Sequence, residues 1–235
     1  DYNSFDPFLS GNFSMSYIFA NTAFEKNTLN SKIFEQFSEN REIISRRLAQ
    51  QNPNAEGLGR TIVGDYRNGY TGTQQDVLIP ALISAYGVGN AETITLNAFP
   101  KIPLPNWSVD FSGLSQLPFI QEYFTNITLR HTYRGTYTVG TFNNNLNAGF
   151  DEFGFVNNTD TLDAVEGVEN FFSPNTITGL QISEQFAPLL GLNMTMKNGM
   201  TGTLDYKRGR TLNFSTGSLQ LAEIRNQDLT IGWGL

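Results

Sequence analysis

In the stretch Ile127-Thr128-Leu129-Arg130-His131-Thr132-Tyr133-Arg134-Gly135-Thr136-Tyr137-Thr138-Val139 the odd positions are mostly apolar or aromatic and every even position is polar. Successive side chains of a strand point to opposite sides, so this period of two predicts one strand with an apolar and a polar face. At about 3.3 Å per residue it runs roughly 40 Å, far beyond the average globular strand of about 5 to 6 residues. The same alternation returns later. Leu190, Leu192, Met194 and Met196 alternate with Gly191, Asn193, Thr195 and Lys197, and Lys197-Asn198-Gly199 supplies a tight turn. Met200, Gly202, Leu204 and Tyr206 then alternate with Thr201, Thr203, Asp205 and Lys207. Arg208-Gly209 leads to Leu212, Phe214 and Thr216 against Asn213, Ser215 and Gly217, and Leu229, Ile231, Trp233 and Leu235 close the series against Thr230, Gly232 and Gly234. The chain is expected to be mainly β, an antiparallel meander.

Upstream of this meander the period changes. Residues 1–24 read as extended, with Phe13, Met15, Tyr17 and Phe19 alternating with Ser14, Ser16 and Ile18. From Ser31, a candidate N-cap, Ile33, Phe34, Phe37, Ile43, Ile44 and Leu48 recur at helical spacing, and Pro53 ends the helix by about Gln51. Residues 52–74 are rich in Asn, Gly and Thr, with an Asn68-Gly69 turn signal, and Gln75 to Tyr86 reads as a short second helix containing Pro80. Pro100, Pro103 and Pro105 then force an extended passage that cannot lie inside a sheet. Three regions result: strand at 1–24, a helical and loop insertion at 25–105, and antiparallel strands at 106–235 interrupted by an acidic loop at about 143–175.

Composition narrows the function. Charged residues make up only 16% of the 235, against roughly 25% in ordinary soluble domains. With 15 Lys and Arg against 22 Asp and Glu the net charge is −7, which leaves no basic stripe for nucleic acid. The absence of Cys excludes disulfides, thiolate metal sites and cysteine nucleophiles. The most apolar stretch, Val77 to Val88, falls short of the roughly 20 residues that a transmembrane helix needs. A membrane protein of this composition is therefore expected to be a barrel. The opening carries neither Met nor a signal peptide, and the last residues stop in mid-alternation, so the chain reads as a segment of a longer protein.

Alternation has two solutions. A soluble sandwich turns its apolar face inward, and an outer-membrane barrel turns it outward to lipid while the polar face lines a wet lumen. On the second reading Leu129, Tyr133, Tyr137, Val139, Leu192, Met194, Leu204, Tyr206, Ile231 and Trp233 face lipid or form aromatic girdles. Arg130, Thr132, Arg134, Thr136, Asn193, Thr195 and Asp205 then face the lumen. The alternative is a secreted sandwich that binds carbohydrate through Trp107, Trp233 and exposed Tyr, with Ca²⁺ on the acidic loop; a small hydrolase using Asp and Glu pairs is a third reading. Asp160, Asp163 and Glu166 are the Ca²⁺ candidates, although their spacing fits no EF-hand and a solvated loop explains them as well. His131 is the sole histidine, and its place in a strand favours an aromatic-like structural role over catalysis. No nucleophile elbow, Walker loop or dinucleotide fingerprint occurs. No catalytic residue and no cofactor is therefore expected.

Several motifs together resemble one family. They are Gln74-Gln75-Asp76-Val77-Leu78-Ile79-Pro80-Ala81, Ala98-Phe99-Pro100-Lys101-Ile102-Pro103-Leu104-Pro105-Asn106-Trp107, Gly113-Leu114-Ser115 and Thr128-Leu129-Arg130-His131-Thr132-Tyr133-Arg134. Phe186-Ala187-Pro188-Leu189-Leu190-Gly191, Asn193-Met194-Thr195-Met196-Lys197-Asn198 and Asp205-Tyr206-Lys207-Arg208-Gly209-Arg210-Thr211-Leu212 complete the set. This is similar to the C-terminal part of the SprA/Sov family, the outer-membrane translocon of the type IX secretion system of Bacteroidota, linked in some members to gliding motility. The resemblance runs over most of residues 28–235, and the proline motif is its most distinctive part. It implies a piece of a single-chain barrel of the 36-strand class. The implied function is export of folded cargo bearing a C-terminal signal, with a PorV-type partner barrel, a periplasmic plug protein and outer-membrane lipid as partners. The insertion would then lie in the lumen or cap the wall.

Overall fold

The computed structural model describes residues 8–25, 32–56, 65–160 and 169–235. The Ser31 cap and the Ca²⁺ candidates Asp163 and Glu166 lie outside the described residues. In chain order the elements are β1 (Ser10–Ser16), α1 (Lys32–Gln51), α2 (Gln75–Tyr86), β2 (Trp107–Phe111), α3 (Pro118–Gln121), β3 (Phe124–Asn144), β4 (Thr159–Asp160), β5 (Asn170–Phe171), β6 (Asn175–Ile177), β7 (Gly179–Met196), β8 (Thr201–Ser215) and β9 (Gln220–Gly234). The chain is mainly β, and all the named strand pairs are antiparallel.

Seven of these strands form one sheet around β3. They fill five positions. β1 and β2 share one edge of β3, β1 against Thr136–Asn143 and β2 against Leu129–Tyr133, so together they act as one strand broken at mid-height. β6 and β7 share the other edge, and β8 and β9 follow as a meander. The 2-stranded ribbon of β4 and β5 stands apart. Among the described residues the sheet is open and closes into no barrel.

The break between β1 and β2 is where the insertion leaves the sheet. Tyr17 N–H donates to the Gly135 carbonyl at 3.0 Å, Gly135 N–H donates to Asn106 Oδ1 at 2.8 Å, and Leu104 N–H donates to the Ser16 carbonyl at 3.0 Å. The two ends of the insertion are thus tied at one point. Gly135 is required there, since a Cβ would lie 2.1 Å from the Tyr17 carbonyl oxygen.

From that point the insertion folds over the apolar face. α1 buries one stripe, including Ile33, Phe37 and Ile44, as its 3.6-residue period requires. Every residue of α2 from Val77 to Tyr86 is buried, the mark of a helix enclosed on all sides. One apolar core joins these helices to Tyr137, Val139, Leu180, Ile182, Leu212 and Phe214 of the sheet. Burying side chains of this size contributes roughly 1.5 to 3 kcal/mol each before chain entropy is subtracted. Several polar atoms inside the layer are paired: Asn40 Nδ2 donates to Ser84 Oγ at 2.8 Å and Tyr137 Oη donates to the Ala98 carbonyl at 2.9 Å. The proline passage is extended as expected and docks on the sheet edge through Phe99, whose ring meets Phe142 at 4.7 Å and Phe13 at 5.5 Å.

Candidate functional site

Residues opposite one another in neighbouring strands point to the same face, so the register assigns each side chain. The polar face carries the expected lumen set. Arg130 pairs with Asp110 at 2.9 Å, Thr132 with Ser108 at 3.0 Å, and Asn193 stands between Thr128 and Thr203. Asp205 lies beside Gly191, and Arg134, Thr136 and Thr195 share this face by alternation.

The apolar face is divided. Near one end run three rows of side chains: Ile127–Met194–Gly202–Trp233, then Phe111–Leu129–Leu192–Leu204–Ile231, then Val109–His131 and Leu190–Tyr206–Leu229. Ile127 is buried at the start of the first row and His131 is half-buried, but towards β9 the rows lie open. Ile231 is 70% exposed and Trp233 60%, with Leu229, Val109, Phe111 and Leu190 also open to the surroundings. The three rows span Ile127 to His131 on β3, about 13 Å along the strand, about half the roughly 25 Å lipid-facing band of outer-membrane barrels. Tyr123 and Phe119 stand exposed beyond the lower end of this band. At its upper end Trp107 stacks on Tyr133 with ring centroids 4.3 Å apart.

Further along the same strands the face is closed by the chain itself. Tyr133, Tyr137 and Val139, expected to face lipid, have no exposed surface. Tyr137 and Val139 lie in the core built with α1 and α2, and Tyr133 is packed with Phe186 and Ala23. Their alternation satisfies a cover of helices as well as it would satisfy lipid. The insertion likewise packs on the apolar face, away from the polar side chains of Thr128–Thr138.

Between the halves a strap, Phe19 to Glu25, crosses the sheet over a row that carries charge. Arg210 donates to the Thr22 carbonyl at 2.8 Å, to Thr22 Oγ1 at 3.0 Å and to the Phe19 carbonyl at 3.2 Å. Arg208 donates to the Ala23 carbonyl at 3.1 Å and stacks 4.7 Å over Phe24, and Arg225 donates to the Glu25 carbonyl. Tyr133 Oη accepts from the Phe19 N–H at 2.8 Å. Glu184 Oε2 lies 2.7 Å from an Arg210 terminal nitrogen, with both side chains almost wholly buried. Arg210 and Tyr133 both donate to the Glu184 carboxylate, so charge and hydrogen bonding act together on it. Sequence reading missed this row; the signal for it is charge at Glu184, Arg208 and Arg210 on positions whose alternation demands apolar residues.

No protein-family model matches the chain, and no curated protein sequence matches it.

The divided face is what the site offers chemically. Among the described residues no group of three or more His, Cys, Asp or Glu is arranged to hold a metal ion, and Asp160 sits in the short β4 ribbon. His131 is half-buried, its Nδ1 lying 2.7 Å from the Leu189 carbonyl and its ring stacked near Trp107. No helix among the described residues is long and apolar enough to cross a membrane.

Proposed function

We propose that the chain is a wall segment of a very large outer-membrane β-barrel, the protein-conducting translocon of a type IX secretion system. The three apolar rows, open towards β9, carry this reading: an apolar surface that wide, backed by a mainly polar face, is stable against lipid on one side and water on the other. Two further features support it. The outer edge of β9, 15 residues long, offers unpaired backbone donors and acceptors that a following strand would satisfy, and exposed aromatic residues flank the band.

On this reading Leu129, Leu192, Met194, Leu204, Tyr206, Ile231 and Trp233 face lipid, and Arg130, Thr132, Arg134, Thr136, Asn193, Thr195 and Asp205 line the lumen. The helical layer becomes a ledge outside the wall, beyond the hydrocarbon. Folded cargo with a C-terminal signal passes along the polar face, and a PorV-type barrel and a periplasmic plug protein complete the assembly. The work is conduction, so the segment uses no catalytic group and no cofactor. Deleting the gene in its own bacterium should stop release of proteins bearing the C-terminal signal while their synthesis continues; unchanged release would refute the proposal. Purified chain should aggregate without detergent, and a monodisperse monomer in plain buffer would count equally against it.

A further inference from the structure

We propose that a cavity in the helical layer is a binding site for an organic cation carried on an apolar body, specifically an arginine side chain beside an aromatic residue in an extended peptide. The inference stands on the cavity alone and holds whether or not the sheet faces lipid. The cavity lies where the end of α1, the first turn of α2 and the segments 150–156 and 172–177 meet, and its volume is about 440 Å³, within the range of small-ligand pockets. Its walls include Tyr70, Phe99, Phe150, Phe155 and Phe172. Asp76 is the one acidic residue among the described residues that line it, and no Lys, Arg or His is among them.

Two neighbouring amides are already spent. Asn52 donates to Tyr70 Oη at 3.0 Å and to the Val156 carbonyl at 2.9 Å, and its Oδ1 accepts from the Asn54 N–H at 3.0 Å. Gln75 donates to the Asn175 carbonyl and accepts from the Ile177 N–H at 3.1 Å. Asp76 is different. It accepts hydrogen bonds from Ser173 and Gln75 but belongs to none of the ion pairs found among the described residues. Burial pushes the carboxyl up to about 6, as expected of a negative charge that lacks a counter-charge.

A guanidinium would supply that counter-charge, and the ring faces would attract it by their quadrupoles. The rim is set before any ligand arrives. Asp151 accepts from the N–H groups of Phe153 and Phe155, and Asn54 donates to Asp151 at 2.8 Å, which fixes the turn that presents Phe150 and Phe155. A preformed rim lowers the ordering cost of binding.

Calorimetry on the full chain in a non-ionic detergent tests the proposal with two uncharged-end peptides, N-acetyl-Phe-Arg-amide and its neutral citrulline counterpart. The arginine peptide should bind at least tenfold more tightly at pH 7.5, and its advantage should shrink as the pH falls through about 6. Asp76→Asn should erase the preference, and Phe155→Ala, at a partly exposed rim position, should weaken the arginine peptide several-fold. Equal binding of the two peptides, no binding of either, a preference that survives Asp76→Asn, or an affinity unmoved by Phe155→Ala would each overturn it.

Discussion

Replacing Arg210 by Met removes the centre of the charged row beneath the strap. The side chain is 3% exposed and its partner Glu184 is 2% exposed, so the substitution leaves a carboxylate in a site water does not reach. Breaking a buried pair by removing one partner costs about 3 to 5 kcal/mol. The three bonds from Arg210 to Phe19 and Thr22 are lost with it. Hydrogen bonds from a charged donor are individually worth about 1.5 to 3 kcal/mol but do not add within one network. A loss of about 4 kcal/mol, roughly a thousandfold in the folding equilibrium, is the expected result. Glu184→Leu alone should cost about 3 kcal/mol, because it strands the guanidinium. The double variant should cost no more than Arg210→Met, which gives a coupling of about 3 kcal/mol in a double-mutant cycle. Guanidinium-chloride unfolding of the chain in detergent reads these values through Trp107, which stacks on Tyr133 beside the strap. A cost under about 1 kcal/mol for Arg210→Met, or additive single variants, would show that the strap is not fastened by this pair.

Gly135→Ala should destabilise by about 3 kcal/mol or more by thermal unfolding, because the added Cβ meets a backbone carbonyl. Gly209→Ala meets only the mobile end of Asn226 and should cost under about 1 kcal/mol. The carboxyl of Asp76 holds its proton more tightly in the folded chain than in the unfolded one, so its contribution is most favourable below about pH 4 and is lost as the pH rises to about 6. Asp76→Asn should flatten that slope and stabilise the chain at pH 7 by up to about 3 kcal/mol in urea titrations at a series of pH values. In lipid vesicles, Ile231→Lys should lower stability by about 2 to 4 kcal/mol, as lysine does on the lipid face of a barrel. Thr203→Lys, one row away on the polar face, should change it by less than about 1 kcal/mol in the same assay.

Local order was legible and its context was not. The helices α1 and α2 and the alternation of β3 follow from period and from the prolines that bound them, which are properties of neighbouring residues. The first half of β7, the middle of β8 and the start of β9 were missed for one reason. Glu184, Arg208, Arg210, Glu223 and Arg225 occupy positions on the apolar face and break the pattern of two. What makes those charges tolerable is a strap nearly 190 residues away in the chain, as in the contact of Arg210 with Thr22. The union of β1 and β2 into one strand position is hidden in the same way, since Ser16 and Trp107 are joined only through β3. That Leu129, Leu192, Leu204, Ile231 and Trp233 share one face was readable from alternation alone. Tyr133, Tyr137 and Val139 were misplaced because alternation tells that a face is apolar and not what covers it.

The chain has two tryptophans, and this permits a direct test of the central claim that the three apolar rows face lipid. With Trp107→Phe, the remaining fluorescence comes from Trp233, 60% exposed in the lowest row of the band. Reconstituted into vesicles whose acyl chains carry bromine, Trp233 should be strongly quenched, while acrylamide in the surrounding water should quench it little. Full quenching by acrylamide with none from brominated lipid would place the band in water and contradict the account.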